Sequence, residues 1–273
     1  PSKDLSWETT RQIDLGFEVG LLNDRFSLEL DYYDKQTDDL LLNRELPNTA
    51  GGSQLQNIGK VENKGFELSL RSFNISKSDF SWETQLTISA NRNKVVDLGG
   101  DEFINLRQPT NQGGPGTRLI VGETMPVFIG ATYLGTYKST EEIVSDGREG
   151  LSFLGSPRYV DLDGNGVIND LDYTVIGSPQ PDFFGGIRNV VRYQNFTLDI
   201  FLQGTYGNEI FNGRLQTHYF GRGDQNLFPV VLDRWQAGTN ENSDIPRAGT
   251  SSSLFNPNST VGIEDGSYLR LKT

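Results

Sequence analysis

The sequence predicts an all-β protein: about seven strands of an antiparallel transmembrane β-barrel, with long extracellular loops. Two observations favour this fold class. Apolar and polar residues alternate with period two in several separate stretches, and no helical period of comparable strength competes with them. In addition, the segments between the stretches are very unequal in length, with turns of a few residues next to polar, glycine-rich connections.

The first two strands illustrate the alternation. Residues 12–21 place apolar side chains at every second position, and residues 26–33 do the same after the polar turn at 23–25. Two alternating runs joined by an Asn-Asp turn predict a hairpin. The pattern returns at 66–71 with 82–90, and at 187–193 with 196–203, and Tyr268 begins one more strand.

The connections distinguish a membrane barrel from a soluble sheet. The long excursions are predicted at 39–59, 95–181 and 207–265, whereas the other turns are short. Bacterial barrels have short periplasmic turns, long extracellular loops and strands of ~10 residues that are apolar towards lipid and polar towards the lumen. Ordinary half-buried strands of a soluble sheet are the alternative that periodicity alone leaves open.

The sequence predicts which residues of the wall are aromatic residues at the membrane interface and which are polar residues facing the lumen. Aromatic residues at strand ends are expected to contribute to the interfacial girdle. These are Tyr32, Tyr33, Phe73, Phe80, Trp82, Tyr193 and Phe196. The lumen-facing residues are predicted to be Asp14, Glu18, Glu29, Asp31, Glu67, Arg71, Glu83, Asp199 and Gln203.

Composition excludes several classes of function. The formal net charge is −12, and no run of Lys or Arg offsets it, so the chain is not expected to bind nucleic acid. There is no Cys, which excludes thiolate chemistry and disulfide scaffolds, and the single His, His218, excludes sites built from several histidines. No apolar stretch approaches the roughly 18 residues of a membrane helix.

The sharpest local signal is the segment 161–172, which fits the twelve-residue calcium loop of EF-hands. Oxygen-bearing side chains occupy positions 1, 3 and 5, glycine occupies position 6, and an acid occupies position 12. Asn169 is expected to act through water, and Asp replaces the usual Glu at position 12. The predicted Ca²⁺ ligands are Asp161, Asp163, Asn165, Val167 through its carbonyl, and Asp172.

The alternative for this segment is a solvated Asp/Asn/Gly turn without metal, because these residues favour turns in any case. No amphipathic helix precedes Asp161, so the expected role of Ca²⁺ is to brace a long loop. Adjacent acids such as Glu141 and Glu142 show no spacing that indicates a catalytic dyad, and the chain is predicted not to be an enzyme.

Several segments, in the same order along the chain, resemble SusC/RagA-type TonB-dependent outer-membrane transporters of Bacteroidetes. The resemblance covers almost the whole chain. Its segments are 31–41, 57–68, 157–161 leading into the calcium-like loop, 176–179 followed by Gly185-Gly186, 207–212 and 268–272.

The resemblance implies that residues 1–273 are the C-terminal portion of a barrel of about 22 strands. It implies an outer-membrane location, with extracellular loops at 95–181 and 207–265 and periplasmic short turns. The implied function is import of oligosaccharides or peptides delivered by a SusD-like lipoprotein. Energy would come from the TonB–ExbB–ExbD complex through an N-terminal part that this sequence does not contain.

Another class of function remains open from the residues alone. A soluble β-rich, calcium-dependent carbohydrate-binding or adhesion module could use the same calcium loop. Loop aromatics could stack on a sugar in either class, although packing of the loops against each other explains them as well. These are Tyr133, Tyr137, Tyr219, Phe220 and Trp235.

Overall fold

The computed structural model describes residues 5–46, 51–107, 116–213, 226–248 and 258–272, without the side chains of Glu45 and Arg107. The long strands are β1 (Thr9–Leu21), β2 (Phe26–Glu45), β3 (Ser53–Ser76), β4 (Phe80–Leu98), β11 (Phe183–Tyr193) and β12 (Phe196–Tyr206). The short strands are β5 (Phe103–Arg107), β6 (Gly116–Ile120), β7 (Val127–Gly130), β8 (Tyr133–Thr136), β9 (Pro157–Tyr159), β10 (Thr174–Gly177), β13 (Glu209–Phe211), β14 (Ile263–Asp265) and β15 (Tyr268–Leu271). The helices are α1 (Thr140–Ser145) and 3-10 turns at Asp170–Asp172, Pro229–Asp233 and Thr260–Gly262.

Seven strands form one antiparallel sheet in the order β1-β2-β3-β4-β11-β12-β15. The two long loops leave the sheet between β4 and β11 and between β12 and β15, at the same end. Short turns at the other end join β1 to β2, β3 to β4 and β11 to β12. The predicted fold class, an all-β segment of about seven antiparallel strands, is therefore confirmed.

The pairing register gathers the apolar residues on one face of the sheet. Opposed residues in antiparallel strands point to the same face, so apolar residues in register form continuous rows. One such row crosses all seven strands: Val19, Leu28, Leu70, Leu86, Ile187, Leu202 and Leu271. Much of this apolar face is open, with Leu15 63% and Phe17 58% exposed.

The opposite face of the sheet is polar. All nine residues predicted to face the lumen lie on it, because register places Glu18 opposite Glu29 and Asp31 opposite Glu67. Two ion pairs link neighbouring strands on this polar face: Arg71 Nε lies 2.7 Å from a Glu83 carboxylate oxygen, and Arg188 lies 2.5 Å from Asp199.

Two members of the predicted aromatic girdle are on the wrong face. Tyr33 lies on the polar face, where its hydroxyl donates to Asn91 Oδ1 at 3.0 Å. Phe73 lies opposite Glu83, and the Arg71 guanidinium covers its ring at 4.7 Å. The alternation explains Tyr33, since neighbouring residues of one strand cannot share a face, and Tyr32 takes the apolar side.

The predicted loop at 39–59 is also wrong in extent. β2 continues to Glu45 and β3 begins at Ser53, and the two remain paired up to Glu45 opposite Ser53. A register irregularity after Thr37, with Asp39 at φ 60°, breaks the alternation that would have predicted strand here.

β3 has 24 residues, which at ~3.3 Å per residue span about 80 Å, whereas a membrane crossing takes ~10 residues. More than half of the strand therefore continues beyond the apolar band, on the side of the long loops. A second, four-stranded sheet, β10-β7-β6-β5, packs against the polar face of this extension.

The contact between the two sheets forms a buried apolar cluster. Val95 and Leu98 of β4 pack on Ile104 and Leu119 of the second sheet. Asn93 holds the same junction, because its side-chain oxygen accepts from the Met125 N–H at 2.6 Å and from the Thr124 hydroxyl at 2.8 Å. The loop predicted at 95–181 is thus a folded layer anchored on the wall.

The remaining connection, between β12 and β15, contains the paired strands β13 and β14. Ala131 bridges to Ser259, so the described end of this connection contacts the first loop. None of the helices in the described part of the chain has the length and apolar character needed to span a bilayer.

Leu119→Ala should loosen the second sheet without disrupting the seven-stranded one. Leu119 is 1% exposed, and truncation of such a leucine costs about 2–5 kcal/mol. Protease cleavage between 99 and 181 should rise by at least about 30-fold in the variant, since about 2 kcal/mol corresponds to that factor. Val121→Ala, at a residue 42% exposed, is the matched control, and equal cleavage of both variants would contradict the proposed core.

Candidate metal centre

The segment 161–172 lies between β9 and β10, within the connection that joins β4 to β11. One residue, Val160, separates Asp161 from the end of β9. One residue, Tyr173, separates Asp172 from the start of β10. Both ends of the segment are therefore fixed by strands, while its middle is exposed.

The first half of the segment folds as a series of tight side-chain turns. The Asp161 carboxylate accepts from the backbone N–H of Gly164 at 2.8 Å and of Gly166 at 2.7 Å. Asp163 accepts from the Asn165 N–H at 3.1 Å. Gly166, at position 6, has φ 77°, a left-handed conformation that glycine adopts without steric cost.

The second half closes the segment on its own beginning. Asn169 caps a 3-10 turn by accepting from the Leu171 N–H at 2.8 Å. The two oxygens of Asp172 accept from the N–H groups of Leu162 and Asn169, both at 2.8 Å. Asp172 is 1% exposed, so these bonds hold a buried carboxylate in one orientation.

Three carboxylates converge as a result. Asp161, Asp163 and Asp172 each offer an oxygen, and these oxygens all lie within 4.8 Å of one another. Three negative charges this close repel each other, and a divalent cation between them reverses that energy. An all-oxygen donor set of this kind suits the hard cations Ca²⁺ and Mg²⁺.

The other two predicted ligands take part in the turns. Asn165 accepts from the Val167 N–H at 2.7 Å and donates from its amide to Asp163 at 2.7 Å. The Val167 carbonyl accepts from the Asn169 side chain at 3.3 Å. Their roles as Ca²⁺ ligands therefore stay a prediction.

Contacts from α1 and the residues after it support the segment. Arg148 donates from its guanidinium to the Gly166 carbonyl. Arg158 in β9 donates to Asp146 at 2.8 Å and holds the pKa of that carboxyl below its usual value. No sequence pattern indicated Arg148, since an arginine that donates to a carbonyl 18 residues away has no spacing signature.

The loop aromatics that the structure describes are packing residues. Tyr137 is 2% and Trp235 is 5% exposed, and Tyr133 donates its hydroxyl to the Asp244 carbonyl. Burial raises the pKa of the Tyr137 hydroxyl. Neither Tyr137 nor Trp235 offers an open ring to a sugar. Tyr219, Phe220 and His218 lie outside the described residues.

The chain is similar in sequence to TonB-dependent receptors. The family described as TonB dependent receptor-like, beta-barrel matches residues 1–183. TonB-dependent receptor P26 of Formosa agariphila is 45% identical over 271 residues, which is 99% of this chain and 27% of the relative. TonB-dependent receptor SusC of Bacteroides thetaiotaomicron is 28% identical over 213 residues, covering 77% of this chain and 20% of SusC.

Solved structures of two RagAB states resemble the chain in fold. The structure of the RagAB peptide transporter matches with a TM-score of 0.78 and 28% identity, over 98% of this chain and 28% of the other. RagAB in the 'open-open' state matches with a TM-score of 0.76 and 26% identity, with the same coverage. The chain thus spans about a quarter of the length of these relatives.

Asp172→Ala should loosen the segment even with EDTA present, because it leaves the Leu162 and Asn169 N–H groups without their acceptor. A lost acceptor of this kind costs about 1–3 kcal/mol. Limited proteolysis with mass spectrometry of the cut sites should show faster cleavage within 161–172. Asp170→Ala, at an exposed neighbouring acid, is the control. An unchanged cleavage rate in Asp172→Ala would mean that its two hydrogen bonds do not hold the segment.

Proposed function

Because the chain belongs to the TonB-dependent receptor-like β-barrel family, we propose that it forms part of the wall of an outer-membrane importer. The observation that supports this most directly is the exposed apolar face, on which one continuous apolar row crosses all seven strands. A soluble sheet would cover such a face with another layer, whereas lipid covers it in a barrel.

The polar face then lines the lumen, and the charge pattern fits this assignment. Acids and arginines such as Glu83 and Arg188 are tolerated at membrane depth only where water or protein surrounds them. The second sheet packs on this polar face, so it would lie inside the mouth of the barrel. No residue of the described polar face has to contact lipid.

The proposed orientation follows from the two unequal ends of the sheet. The long loops and the strand extensions project outside the cell, and the short turns at 22–25, 77–79 and 194–195 face the periplasm. This is the usual polarity of bacterial barrels, in which the longer loops meet ligands and partners.

The partners and substrates of the intact protein are proposed by analogy with its relatives. SusC and RagAB support a SusD-like surface lipoprotein at the loop end and energy supplied through TonB–ExbB–ExbD. The cargo would be an oligosaccharide or a peptide, and RagAB is described as a peptide transporter. The protein would act by binding and translocation, without catalysis.

Two experiments on the intact protein test this function. In its native host, the full-length protein should stay in carbonate-washed envelopes and be released only by detergent. Deletion of its gene should abolish growth on one class of polymer, glycan or peptide, while growth on the corresponding monomers is unchanged. Release by carbonate alone would contradict the barrel, and normal growth on every polymer tested would contradict import.

We also propose that the segment 161–172 binds one Ca²⁺ that braces the long connection between β4 and β11. The three converged carboxylates and the twelve-residue motif support this proposal. Asp163 is exposed and Asp161 is half-buried, so an ion can enter from their side, and Asp172 is buried, where its position is fixed. A bound cation would hold these two sides together and stiffen the connection between β9 and β10.

Asp161→Asn combined with Asp163→Asn should abolish calcium stabilisation while preserving most of the turn hydrogen bonds. Ca²⁺ at about 100 times its dissociation constant stabilises a folded site by about 2.7 kcal/mol. Wild-type protein should therefore be cleaved in this loop far more slowly in Ca²⁺ than in EDTA, and the double variant equally fast in both. Asp170→Asn should behave as wild type, and a Ca²⁺ effect that survives in the double variant would refute the site.

A further inference from the structure

The connection between β12 and β15 is attached to the connection between β4 and β11 through residues 233–247, which we call the docking segment. The backbone of this segment turns back on itself, because the Trp235 N–H donates to the Ile245 carbonyl at 2.8 Å. Both side chains are buried, with Trp235 5% and Ile245 8% exposed. The docking segment therefore has a fixed shape where it meets the other connection.

The first attachment is made by the indole of Trp235, which covers Gly155. Gly155 has φ 77°, and a Cβ at this position would collide with the indole ring. The Gly155 carbonyl accepts from the Arg247 N–H at 2.9 Å, and the Gly155 N–H donates to the Tyr137 carbonyl at 2.9 Å. The two connections thus close on each other at a residue without a side chain.

The second attachment is made by Lys138, the residue before the N-cap of α1. Its ammonium group donates to the carbonyls of Asn242, at 2.9 Å, and Ser243, and forms an ion pair with Asp244 at 3.0 Å. Thr136 in β8 also donates to the Ser243 carbonyl, at 2.6 Å. One ammonium group therefore holds three consecutive residues of the docking segment.

Helix α1 connects this attachment to the metal segment, residues 161–172. Glu142 of α1 accepts from the Lys138 N–H at 2.7 Å. The other carboxylate oxygen of Glu142 lies 3.1 Å from the Arg158 guanidinium. Arg158 belongs to β9, the strand that leads into the metal segment. The residues that hold the docking segment thus also hold the entry to the metal segment.

The end of α1 contacts the middle of the metal segment. Arg158 pairs there with Asp146, the C-cap of α1, at 2.8 Å. Arg148 donates to the Gly166 carbonyl, and a Cβ on Gly166 would lie 3.3 Å from the Gly147 carbonyl oxygen. Contacts therefore run without a gap from the docking segment through α1 to position 6 of the metal segment.

We propose that the docking segment and the metal segment form one cooperative unit, in which bound Ca²⁺ strengthens the attachment of residues 233–247 and loss of Ca²⁺ weakens it. This rests on the proposed Ca²⁺ site. Such coupling is reciprocal, so docking raises the affinity for Ca²⁺ by the same factor by which Ca²⁺ favours docking. In the proposed importer both connections lie outside the cell, where Ca²⁺ in the medium would determine how firmly they hold together.

Trp235→Ala in the full-length protein, solubilised in detergent, tests the coupling. Cleavage within 161–172 is followed against free Ca²⁺, and the midpoint of protection gives the affinity of this site alone. The variant weakens docking without changing any charge, so the midpoint should move to at least about fivefold higher Ca²⁺, the lower end of typical coupling between sites. Leu232→Ala, at a residue 74% exposed, is the matched control and should leave the midpoint unchanged.

Lys138→Met tests the second attachment independently. Loss of a cation by itself would raise the affinity of the site for Ca²⁺. A midpoint that moves to higher Ca²⁺ therefore reports lost docking and not lost charge. Lys77→Met, at an exposed lysine in a short turn, is the control. Lys138→Met leaves the buried side chains in place, so it decides the question if Trp235→Ala fails to fold.

The reciprocal measurement follows cleavage within 233–247. In the wild-type protein this cleavage should be at least about fivefold slower in Ca²⁺ than in EDTA. The double variant Asp161→Asn/Asp163→Asn should show no such difference, because it lacks the ion that strengthens docking.

The outcomes separate the coupling from the metal site. An unchanged midpoint in both Trp235→Ala and Lys138→Met, or an equal shift in Leu232→Ala, would overturn the coupling and leave the metal site in place. Wild-type cleavage within 161–172 that does not respond to Ca²⁺ at all would overturn the metal site, and the coupling with it.

Discussion

Within a bilayer, no water is present to satisfy backbone N–H and C=O groups, so each strand must bond to a neighbouring strand along its whole buried length. The antiparallel ladder satisfies that constraint for the strands that lie between its two edges, β1 and β15, and its register determines the rest of the structure. Since opposed residues share a face, one alternating pattern repeated on seven strands produces a lipid-compatible surface and a wet surface together. A shift by one residue would exchange them on that strand.

The same ladder provides the platform for the loop layers. Above the apolar band, β3 and β4 continue as a paired extension whose polar face becomes apolar at Val61 and Val95. The second sheet packs on this part of the wall, with Asn93 fixing the junction. The candidate metal-binding segment is attached to β9 and β10, and its geometry depends on buried Asp172 and on Arg148. The wall thus supports the loop layer, and the loop layer supports the candidate Ca²⁺ site.

Sequence reasoning identified the wall well, because alternation is a local property that one strand displays by itself. Strand pairs, short turns and the polar-face residues from Asp14 to Gln203 all follow from it. It failed where alternation breaks, as at the irregularity near Asp39, and where the alternation of a strand places an aromatic residue on the polar face, as at Tyr33 and Phe73. The converging acids of 161–172 were visible because a calcium loop is contiguous. The supporting role of Arg148 was not visible, because it depends on a contact with Gly166, 18 residues away in the chain.

The packing of the second sheet on the inner side of the extended wall has a consequence for passage through the barrel. A barrel's internal width is normally set by its strand number and tilt. In the proposed barrel, the folded layer held by Val95, Leu98 and Asn93 would occupy one side of the mouth. The free cross-section at the entrance would then be smaller and off-centre, and cargo would approach along the wall opposite to this layer. Size selection would then begin with a fixed obstruction at the entrance, before cargo reaches the lumen at membrane depth.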